Sequence, residues 1–366
     1  MVMDFSKTPW IWRVVSPPLR WWMKRRFTLR YNGPVPDPPF LLVANHTNIL
    51  DPFFLTGFFP YPISWVASRA SFRHPVVGWL LRQAHAISKQ KNIPDLHAIR
   101  AVFRALKTGR VVGIFPEGST TWDGNTGSFP AGTEKLLDKV SCDILAVRVN
   151  GAYLCHPRWA EKGRKGIVEI RTRLFKGREA LDFLKTSDWE WQEERSNPYV
   201  GKDRALGIER LAWFCPSCGS YRGLHGEANQ VRCNQCSFCA EVKLDGTLGG
   251  EPLDRFFQDQ LARLKEYWKV HSSLPLENGR LFFRNRENYR VEKKVETKFS
   301  LCNGWFEAGS LSFGFEEMKG VNPYVENMVE FSTEQHVVHA YLPRDSLLFF
   351  SSYQVLTGGE HVLDKN

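Results

Sequence analysis

His46 and Asp51 lie five residues apart in the segment ANHTNILDPFF, residues 44–54, which begins at the end of an apolar run. On a helix, this spacing would place the two side chains roughly 140° apart, so they can meet only across a turn. Asp51 before Pro52 is typical of a helix N-cap with proline at the first helical position. A carboxylate there can accept the imidazole N–H, fix its tautomer and leave the other ring nitrogen as a general base.

This pair is half of a Ser-His-Asp triad, without the serine. A base with no protein nucleophile suits a reaction in which the hydroxyl of the substrate attacks, such as acyl transfer to an alcohol. With ten histidines in the chain, about half a match to this spacing is expected by chance. Asp51 could also act only as a helix cap. The pair by itself therefore leaves a purely structural role open.

A second segment, VVGIFPEGSTTWDG at residues 111–124, again places an apolar strand before a turn. Glu117, Gly118 and Ser119 would then stand at the same edge of a sheet as His46. Gly118 lets backbone N–H groups approach an oxyanion or a phosphate closely. Taken alone, P-E-G-S is more often only a turn.

Together and in this order, the two segments resemble the glycerolipid acyltransferase family, typified by 1-acylglycerol-3-phosphate acyltransferase. Residues 45–51 match its catalytic motif N-H-x-x-x-x-D, and residues 115–119 match its acceptor-binding motif F-P-E-G-[TS]. The resemblance covers residues 35–175 and implies an acyl-CoA or acyl-carrier-protein donor, with no redox cofactor.

The resemblance implies a role for each matched residue. His46 is the general base, and Asp51 is the partner that orients it. The implied substrate-binding residues are Glu117, Gly118 and Ser119, together with Lys91 or, as the next choice, Lys89 in the basic segment ISKQK.

Three positions depart from the family pattern. Thr120 stands where the family usually has an arginine, Ala131 stands where lysine is common, and the later V-P-V motif reads Leu-Ala-Val at residues 145–147. Loss of the arginine and the lysine removes bidentate and point-charge contacts to phosphate. Acyl transfer is therefore better supported than a particular phosphate-bearing acceptor.

We expect transfer of a fatty acyl group to the free hydroxyl of a lysolipid, first of all 1-acylglycerol 3-phosphate, in phospholipid synthesis. The alternatives within the same chemistry are glycerol 3-phosphate and a lysolipid without a phosphate. An alternative from another class is a zinc-ribbon module that binds nucleic acid or protein.

The zinc ribbon is predicted by Cys215, Cys218, Cys233 and Cys236, two C-x-x-C knuckles separated by 14 residues. Cys239 could compete for one ligand position, but the knuckle pairing favours Cys236. Two disulfides are disfavoured because we expect the chain to be cytoplasmic. Four thiolates would close the coordination shell of zinc, which indicates a structural metal. The ribbon has few basic residues and no aromatic stacking platform, so nucleic acid is a disfavoured partner.

The first 30 residues predict contact with a membrane interface. They interleave four tryptophans with basic residues, and indole rings favour the headgroup layer while cations attract anionic lipid. Pro17 and Pro18 should break this segment into two short pieces. An ordinary surface helix with a basic face is the alternative. The chain has a net charge of +10 and no apolar run long enough to cross a bilayer, so we expect a peripheral protein on the cytoplasmic face of a membrane.

Alternating elements must position these residues. Buried strands are predicted within residues 39–45, 64–68, 86–89, 110–115 and 144–154, with helices over 51–59, 74–84, 95–109 and 131–140. This alternation predicts an α/β domain with reactive groups at the carboxyl ends of its strands.

The predicted organisation is a membrane-interface segment (1–34), an α/β acyltransferase domain (35–180), a connecting helix or linker (181–210), a zinc ribbon (211–248) and a helix followed by a β-rich domain (249–366). The last region faintly resembles a pleckstrin-homology-like barrel, and a purely structural β domain is equally compatible with it.

Overall fold

A computed structural model of the chain describes residues 9–73, 75–89, 95–324 and 327–358. The chain divides into two compact units. The first contains residues 1–158 and 163–201, and the second contains residues 159–162 and 202–366.

The first unit has the predicted α/β fold, and it is built on one seven-stranded sheet. Its strands are β1 (Thr28–Asn32), β2 (Phe40–Ala44), β3 (Ile63–Ser68), β4 (Ile87–Lys89), β5 (Val111–Ile114), β6 (Asp143–Asn150) and β7 (Ile167–Phe175). Their order across the sheet is β1-β7-β6-β2-β5-β3-β4. The pairs are parallel except for β6 with β7, which is antiparallel. The carboxyl ends of β2 to β6 therefore meet at one edge.

Eight α-helices are described in this unit. They are α1 (Trp10–Arg26), α2 (Asp51–Phe58), α3 (Pro75–Gln83), α4 (Leu96–Lys107), α5 (Ala131–Asp138), α6 (Ala152–Cys155), α7 (Ala180–Leu184) and α8 (Asp188–Glu193). The prediction of a strand up to residue 154 was wrong at its end. Gly151 adopts a φ of 79° after β6, and this left-handed turn directs the chain into α6.

The central strands β2, β5 and β6 are apolar because both of their faces are covered. Every residue of β2 is fully buried. On one side α4 packs a stripe that includes Ala98, Val102 and Leu106 against these strands, at the helical spacing that the sequence indicates. The resulting core holds the carboxyl ends of the strands in fixed positions.

Helix α1 runs without interruption through Pro17 and Pro18, so the prediction of two separate pieces was wrong. Proline fixes φ near its helical value, and its cost is the missing N–H donor. Tertiary contacts offset that cost, because Met23 is buried and Arg20 donates to the carbonyls of Gly57 and Phe59 at 2.8 and 2.9 Å. Within the described residues, no helix combines the length and the apolar character needed to span a bilayer.

The second unit contains a small three-stranded sheet and a larger β-rich region. The small sheet has β8 (Leu224–Glu227), β9 (Gln230–Cys233) and β10 (Cys239–Glu241), followed by α9 (Leu253–Val270). The larger sheet has β11 (Ser273–Asn285), β12 (Val291–Cys302), β13 (Trp305–Ala308), β14 (Leu311–Gly314), β15 (Lys319–Tyr324), β16 (Met328–Ser332) and β17 (His336–Tyr341), and the region ends in α10 (Ser346–Thr357). The prediction of a β-rich C-terminal region is confirmed.

The seven strands of the larger sheet are antiparallel and lie in the order β14-β13-β12-β11-β17-β16-β15. The sheet thus consists of two meanders that meet where β11 pairs with β17. Helix α10 contributes Phe349, which packs edge to face on Phe306 with ring centroids 4.8 Å apart. The helix therefore closes the aromatic core of this region.

Candidate active site and candidate metal centre

His46 and Asp51 meet across the turn between β2 and α2. The Nδ1 atom of His46 lies 3.0 Å from Oδ2 of Asp51, which is the contact that their spacing predicts. Helix α2 begins at Asp51 itself, with Leu50 as the capping residue, so the predicted N-cap position was wrong by one residue. The carboxylate points back into the loop instead and accepts the N–H groups of Thr47 and Asn48 at 2.7 and 2.8 Å.

The fully buried Asp51 fixes the tautomer of the imidazole. Burial raises the pKa of Asp51, while the hydrogen bonds from His46, Asn48 and Thr47 act in the opposite direction. The backbone N–H groups of Thr47 and Asn48 both donate to Oδ2, so this oxygen acts as an acceptor and Nδ1 of His46 carries the proton. Within the described residues, no protein group bonds Nε2 of His46, and that lone pair can take a proton from a substrate.

Two buried asparagines on either side of His46 fasten this loop to β6 and α6. The amide of Asn45 exchanges two hydrogen bonds with the backbone of Val149, at 2.7 and 2.9 Å. The amide of Asn48 donates to the carbonyl of Ala152 at 2.7 Å. These contacts cross 104 residues of sequence, so the loop conformation depends on the assembled sheet.

Glu117 lies directly beside this loop. Its Oε1 accepts the backbone N–H of His46 at 2.6 Å, and its Oε2 accepts the N–H of Gly127 at 2.7 Å. Burial raises the pKa of Glu117 to about 8, and the N–H groups of Gly127 and His46 act against that rise. Both carboxylate oxygens thus bind backbone, which makes Glu117 a positioning group for the His46 loop.

Gly118 and Ser119 form the turn after β5, at the same edge as His46. Gly118 has a φ of 76°, and its N–H donates to the carbonyl of Phe115 at 3.2 Å. Gly118 is exposed and Ser119 is partly exposed. The turn therefore opens toward solvent, although the N–H of Gly118 is already engaged within it.

Two aromatic rings are stacked beneath the imidazole of His46. The centroid of the His46 ring lies 4.1 Å from that of Phe115, which in turn lies 4.9 Å from that of Trp65. Trp65 can reach this position because Gly113 has no side chain. A Cβ atom there would come within 2.5 Å of the Trp65 ring.

Cationic side chains reach the same edge from β3 and β4. Lys89 is exposed at the end of β4, and its carbonyl accepts the N–H of Arg69 at 2.8 Å. Lys91 lies outside the described residues. If the register of β2, β5 and β3 is continued past the strand ends, Arg69 is level with Glu117 and His46. Arg69 is exposed and directly follows β3, so it lies at the same edge of the sheet as His46.

Sequence reasoning missed Arg69, although a signal for it was present. Arg69 directly follows the predicted strand over residues 64–68, much as His46 follows the first predicted strand. Strand order decides which strand ends are neighbours, and the sequence alone does not contain that order.

The four predicted cysteines form one cluster in the second unit. The Sγ atoms of Cys215, Cys218, Cys233 and Cys236 all lie within 4.8 Å of one another. Cys215 is 3.7 Å from Cys236, and Cys218 is 3.8 Å from Cys233. A zinc–sulfur distance of 2.3 Å gives a tetrahedron with edges of about 3.8 Å, so this donor set fits zinc. Cys239 is exposed, and its thiol donates instead to Gln230 at 3.6 Å.

Helix α9 supports the first knuckle of the cluster. The fully buried Gln260 accepts the N–H groups of Trp213 and Phe214 at 2.8 and 2.7 Å. Arg263 donates to the carbonyl of Pro216 at 3.2 Å, within the knuckle itself. The knuckle is therefore held by residues of α9, which lie 46 and 47 positions further along the chain.

Comparison with known proteins gives a matching family and several relatives. Residues 26–150 match the family model described as Acyltransferase. The chain is 30% identical over 157 residues to a 1-acyl-sn-glycerol-3-phosphate acyltransferase of Pseudomonas aeruginosa, over 42% of this chain and 58% of that protein. It is 31% identical over 86 residues to the Bacillus subtilis protein of the same name, over 23% of this chain and 43% of that protein.

Two further similarities concern another acyl acceptor and a solved structure. A lyso-ornithine lipid O-acyltransferase of Pseudomonas aeruginosa is 34% identical over 108 residues, which are 28% of this chain and 41% of that protein. The crystal structure of a 1-acyl-sn-glycerophosphate acyltransferase from Thermotoga maritima matches with a TM-score of 0.39 and 22% identity, over 47% of this chain and 76% of that chain.

The α/β unit with its His46–Asp51 pair at the strand ends is thus an acyltransferase-type domain. The match of residues 26–150 to the Acyltransferase family model and the similarity to two 1-acyl-sn-glycerol-3-phosphate acyltransferases confirm the resemblance that residues 45–51 and 115–119 carry. It spans 58% and 43% of the lengths of the first two relatives, so their printed activities apply to this chain only as proposals.

Proposed function

We propose that the protein transfers a fatty acyl group from an acyl thioester to the free hydroxyl of a lysolipid. The observation that carries this proposal is the 3.0 Å contact between His46 Nδ1 and Asp51 Oδ2 at the carboxyl edge of the sheet. This contact leaves Nε2 of His46 as the basic atom. Gly118 and Ser119 lie at the same edge of the sheet. The names of the relatives support the reaction class.

The reaction follows from the protonation state of the pair. Nε2 of His46 removes the proton from the lysolipid hydroxyl as its oxygen bonds to the thioester carbonyl carbon. Asp51 stabilises the imidazolium that forms. The carbon–sulfur bond then breaks, and the proton on Nε2 passes to the leaving thiolate. No protein nucleophile is required, because the acceptor itself attacks.

1-Acylglycerol 3-phosphate is the first candidate acceptor, and acyl-CoA or an acyl-carrier protein is the donor. A lysolipid without a phosphate is the second candidate. The similarity to the lyso-ornithine lipid O-acyltransferase and the threonine at position 120 favour this second acceptor.

The test is acyl transfer to a mixture of lysolipids, followed by mass spectrometry of the products. His46→Ala should reduce turnover by about a hundredfold to ten-thousandfold, the usual contribution of a general base. His97→Ala changes an exposed histidine on α4 and serves as the matched control. Near-normal turnover in a folded His46→Ala protein would refute the mechanism.

We also propose that the cysteine cluster binds one structural zinc ion. The Sγ separations near 3.8 Å support this assignment, since a disulfide would require about 2.0 Å. Four thiolates fill the tetrahedral shell, so the ion would stabilise the second unit rather than bind substrate. Metal analysis of the purified chain should give one zinc per chain, and a metal-free folded protein would contradict the proposal.

A third proposal is that the first unit docks peripherally on an anionic membrane, at its cytoplasmic face. Exposed apolar side chains are present on both α1 and α3: Trp10, Val14, Val15, Trp21, Trp22, Val76, Val77, Trp79 and Leu80. Trp10 and Trp79 pack edge to face with centroids 6.0 Å apart, so the two helices share one apolar surface. Arg25 lies over Trp21 at 4.6 Å, which combines a cation with an indole, as anionic lipid favours.

Vesicle co-sedimentation tests the docking proposal. Trp10→Ser combined with Trp21→Ser should weaken binding to phosphatidylglycerol vesicles, and added salt should weaken wild-type binding without abolishing it. Trp305→Ser is the matched control, because Trp305 is a similarly exposed tryptophan in the second unit. If only the Trp305 variant loses binding, the docking surface belongs to the β-rich region instead.

We further propose that the larger sheet and α10 form a pleckstrin-homology-like barrel. The two meanders joined through β11 and β17, followed by a closing C-terminal helix, support this assignment. An experimental structure of the full chain with a different strand order would overturn it.

A further inference from the structure

The segment of residues 156–158, which follows α6, touches both loops of the candidate active site. Asn48 donates to the carbonyl of His156 at 3.1 Å, and Nη1 of Arg158 donates to the carbonyl of Thr120 at 2.8 Å. The next residue, Thr121, donates its N–H to the carbonyl of His46 at 3.0 Å. Arg158 is therefore fixed where the loop after β5 meets the loop of His46.

The guanidinium of Arg158 is held in a defined orientation. Its Cζ atom lies 4.2 Å from the ring centroid of Trp122, whose side chain is buried. Stacking on the indole and the bond to Thr120 fix the plane of the group, while Arg158 remains partly exposed. A planar, pre-oriented fork of N–H donors is the arrangement that binds a phosphate with two parallel hydrogen bonds.

The position of this cation has a counterpart in the sequence. Thr120 stands where the resembled motif carries an arginine, and its hydroxyl supplies no charge. Arg158 comes from a segment 38 residues further along the chain and brings a guanidinium to the backbone of that same residue. The charge missing from the motif is thus present nearby in the folded unit.

We propose that Arg158 is a binding residue for a phosphate group of the substrate. The inference rests on the proposed acyl transfer and names the chemistry that this part of the site recognises. Two substrates could supply the phosphate: a phosphate-bearing lysolipid acceptor, or the phosphates of the acyl-CoA donor. In either case Arg158 acts on substrate binding, and the proton transfer at His46 is unaffected.

Steady-state kinetics of Arg158→Gln test this inference. The KM for the phosphate-bearing substrate should rise by roughly tenfold to a hundredfold, the range expected for a lost hydrogen bond to a charged group, with little change in kcat. Arg158→Lys should show a smaller rise, because lysine keeps the charge without the planar fork. Arg178→Gln is the matched control, since Arg178 is an exposed arginine of the same unit that pairs with Asp138.

Substrate pairs identify the source of the phosphate. 1-Acylglycerol 3-phosphate is compared with monoacylglycerol at a fixed donor, and acyl-CoA is compared with the acyl thioester of N-acetylcysteamine at a fixed acceptor. A KM effect confined to 1-acylglycerol 3-phosphate assigns the contact to the acceptor. An effect confined to acyl-CoA assigns it to the donor. An equal effect on all four substrates indicates a merely structural role and overturns the inference.

A rescue variant gives a second, independent readout. Thr120→Arg in the Arg158→Gln background returns a guanidinium to the same loop and should restore most of the lost affinity for the phosphate-bearing substrate. A structural defect from the loss of Arg158 would not be repaired by this change. Failure of the rescue in a folded double variant would therefore count against a phosphate contact.

Equilibrium binding separates this inference from the proposed function. Titration of the full chain with 1-acylglycerol 3-phosphate, monoacylglycerol and acyl-CoA in the same detergent requires no turnover. If the wild type transfers acyl groups and Arg158→Gln leaves every KM unchanged, the inference fails and the proposed function stands. If the wild type transfers nothing, the proposed function fails. A phosphate preference in binding that disappears in Arg158→Gln would then still support the phosphate site, and unchanged binding would overturn it.

Discussion

The four cysteines of the second unit lie within residues 215–236, and local turns bring their thiols together. The loop that carries His46 is held differently, since Glu117 and Val149 bind it from positions 71 residues or more away. The cysteines come from one short segment that α9 supports, whereas the His46 loop depends on strands brought together by the completed sheet. Mutations should therefore affect the two sites by different routes, locally in the cluster and through the whole sheet at His46.

The largest effect is expected from Cys215→Ser. Loss of one thiolate should abolish zinc binding and destabilise the second unit, because structural zinc contributes on the order of 10 kcal/mol to small domains. Cys239→Ser should retain the metal, since Cys239 lies outside the cluster. Metal analysis and thermal unfolding of both variants provide the measurement. One zinc retained in a folded Cys215→Ser protein would contradict the tetrahedral assignment.

Asp51→Asn should lower kcat/KM for acyl transfer by at least about a hundredfold. The amide removes the charge that stabilises the imidazolium, and its NH₂ group conflicts with the three N–H donors around Oδ2. Steady-state kinetics check the effect, and circular dichroism checks that the unit remains folded. Full activity in the folded variant would show that Asp51 only stabilises the conformation of the loop.

Glu117→Gln should lower turnover by about tenfold, because one backbone N–H loses its carboxylate acceptor while His46 itself is unchanged. Arg178→Gln, whose arginine is exposed and pairs with Asp138, is the comparison for the kinetics. An unchanged turnover would show that the loop keeps its geometry without this carboxylate.

The same variant should alter the pH dependence of stability. Burial raises the pKa of Glu117 to about 8, so the folded state holds a proton that the unfolded state has already lost. This contribution to stability is therefore present at low pH and is lost as the pH rises from the ordinary value of 4.5 through about 8. Burial also raises the pKa of Asp188, to about 7, with the same sign. Denaturant unfolding across this pH range should show a smaller decline in the free energy of unfolding for Glu117→Gln than for the wild type. The decline due to Asp188 should remain.

A modest loss of stability is expected from Gly113→Ala. Its methyl group would lie 2.5 Å from Trp65 and 2.7 Å from Ile63, so the rings beneath His46 must shift, at a cost of about 1–3 kcal/mol in unfolding free energy. Gly132→Ala on α5 meets no atom within 4 Å and should be neutral or slightly stabilising. Equal stability of the two variants would mean that the ring stack adapts without strain.

The cysteine spacing and the His46–Asp51 spacing could be read from sequence because each contact spans one loop or one hairpin. The helical stripe of α4 and the apolar strands were readable because burial imposes a period. The contact of Glu117 with the His46 backbone was not readable, because it depends on β2 and β5 being neighbours in register. The contact of Arg158 with Thr120 could not be predicted for the same reason, since the two residues are distant in the chain.

Local rules failed where tertiary contacts outweigh them. Pro17 and Pro18 argue against a continuous helix, yet the packing of Met23 and the bonds of Arg20 hold α1 together. The apolar residues after Asn150 predict that the strand continues to residue 154. The left-handed turn at Gly151, whose N–H donates to Asp188 at 3.0 Å, ends the strand there.

Helix α2 also has a mechanical consequence. It starts at Asp51 beside the imidazole and ends near the two carbonyls that bind Arg20 of α1, and at 1.5 Å per residue its eight residues span about 12 Å. Gly57 lets Met23 approach this end without a gap, since a Cβ atom would sit 2.5 Å from the Met23 sulfur. The helix is therefore a rigid spacer between α1 and the imidazole of His46. If α1 rests on a surface, its position therefore also sets the distance between that surface and His46.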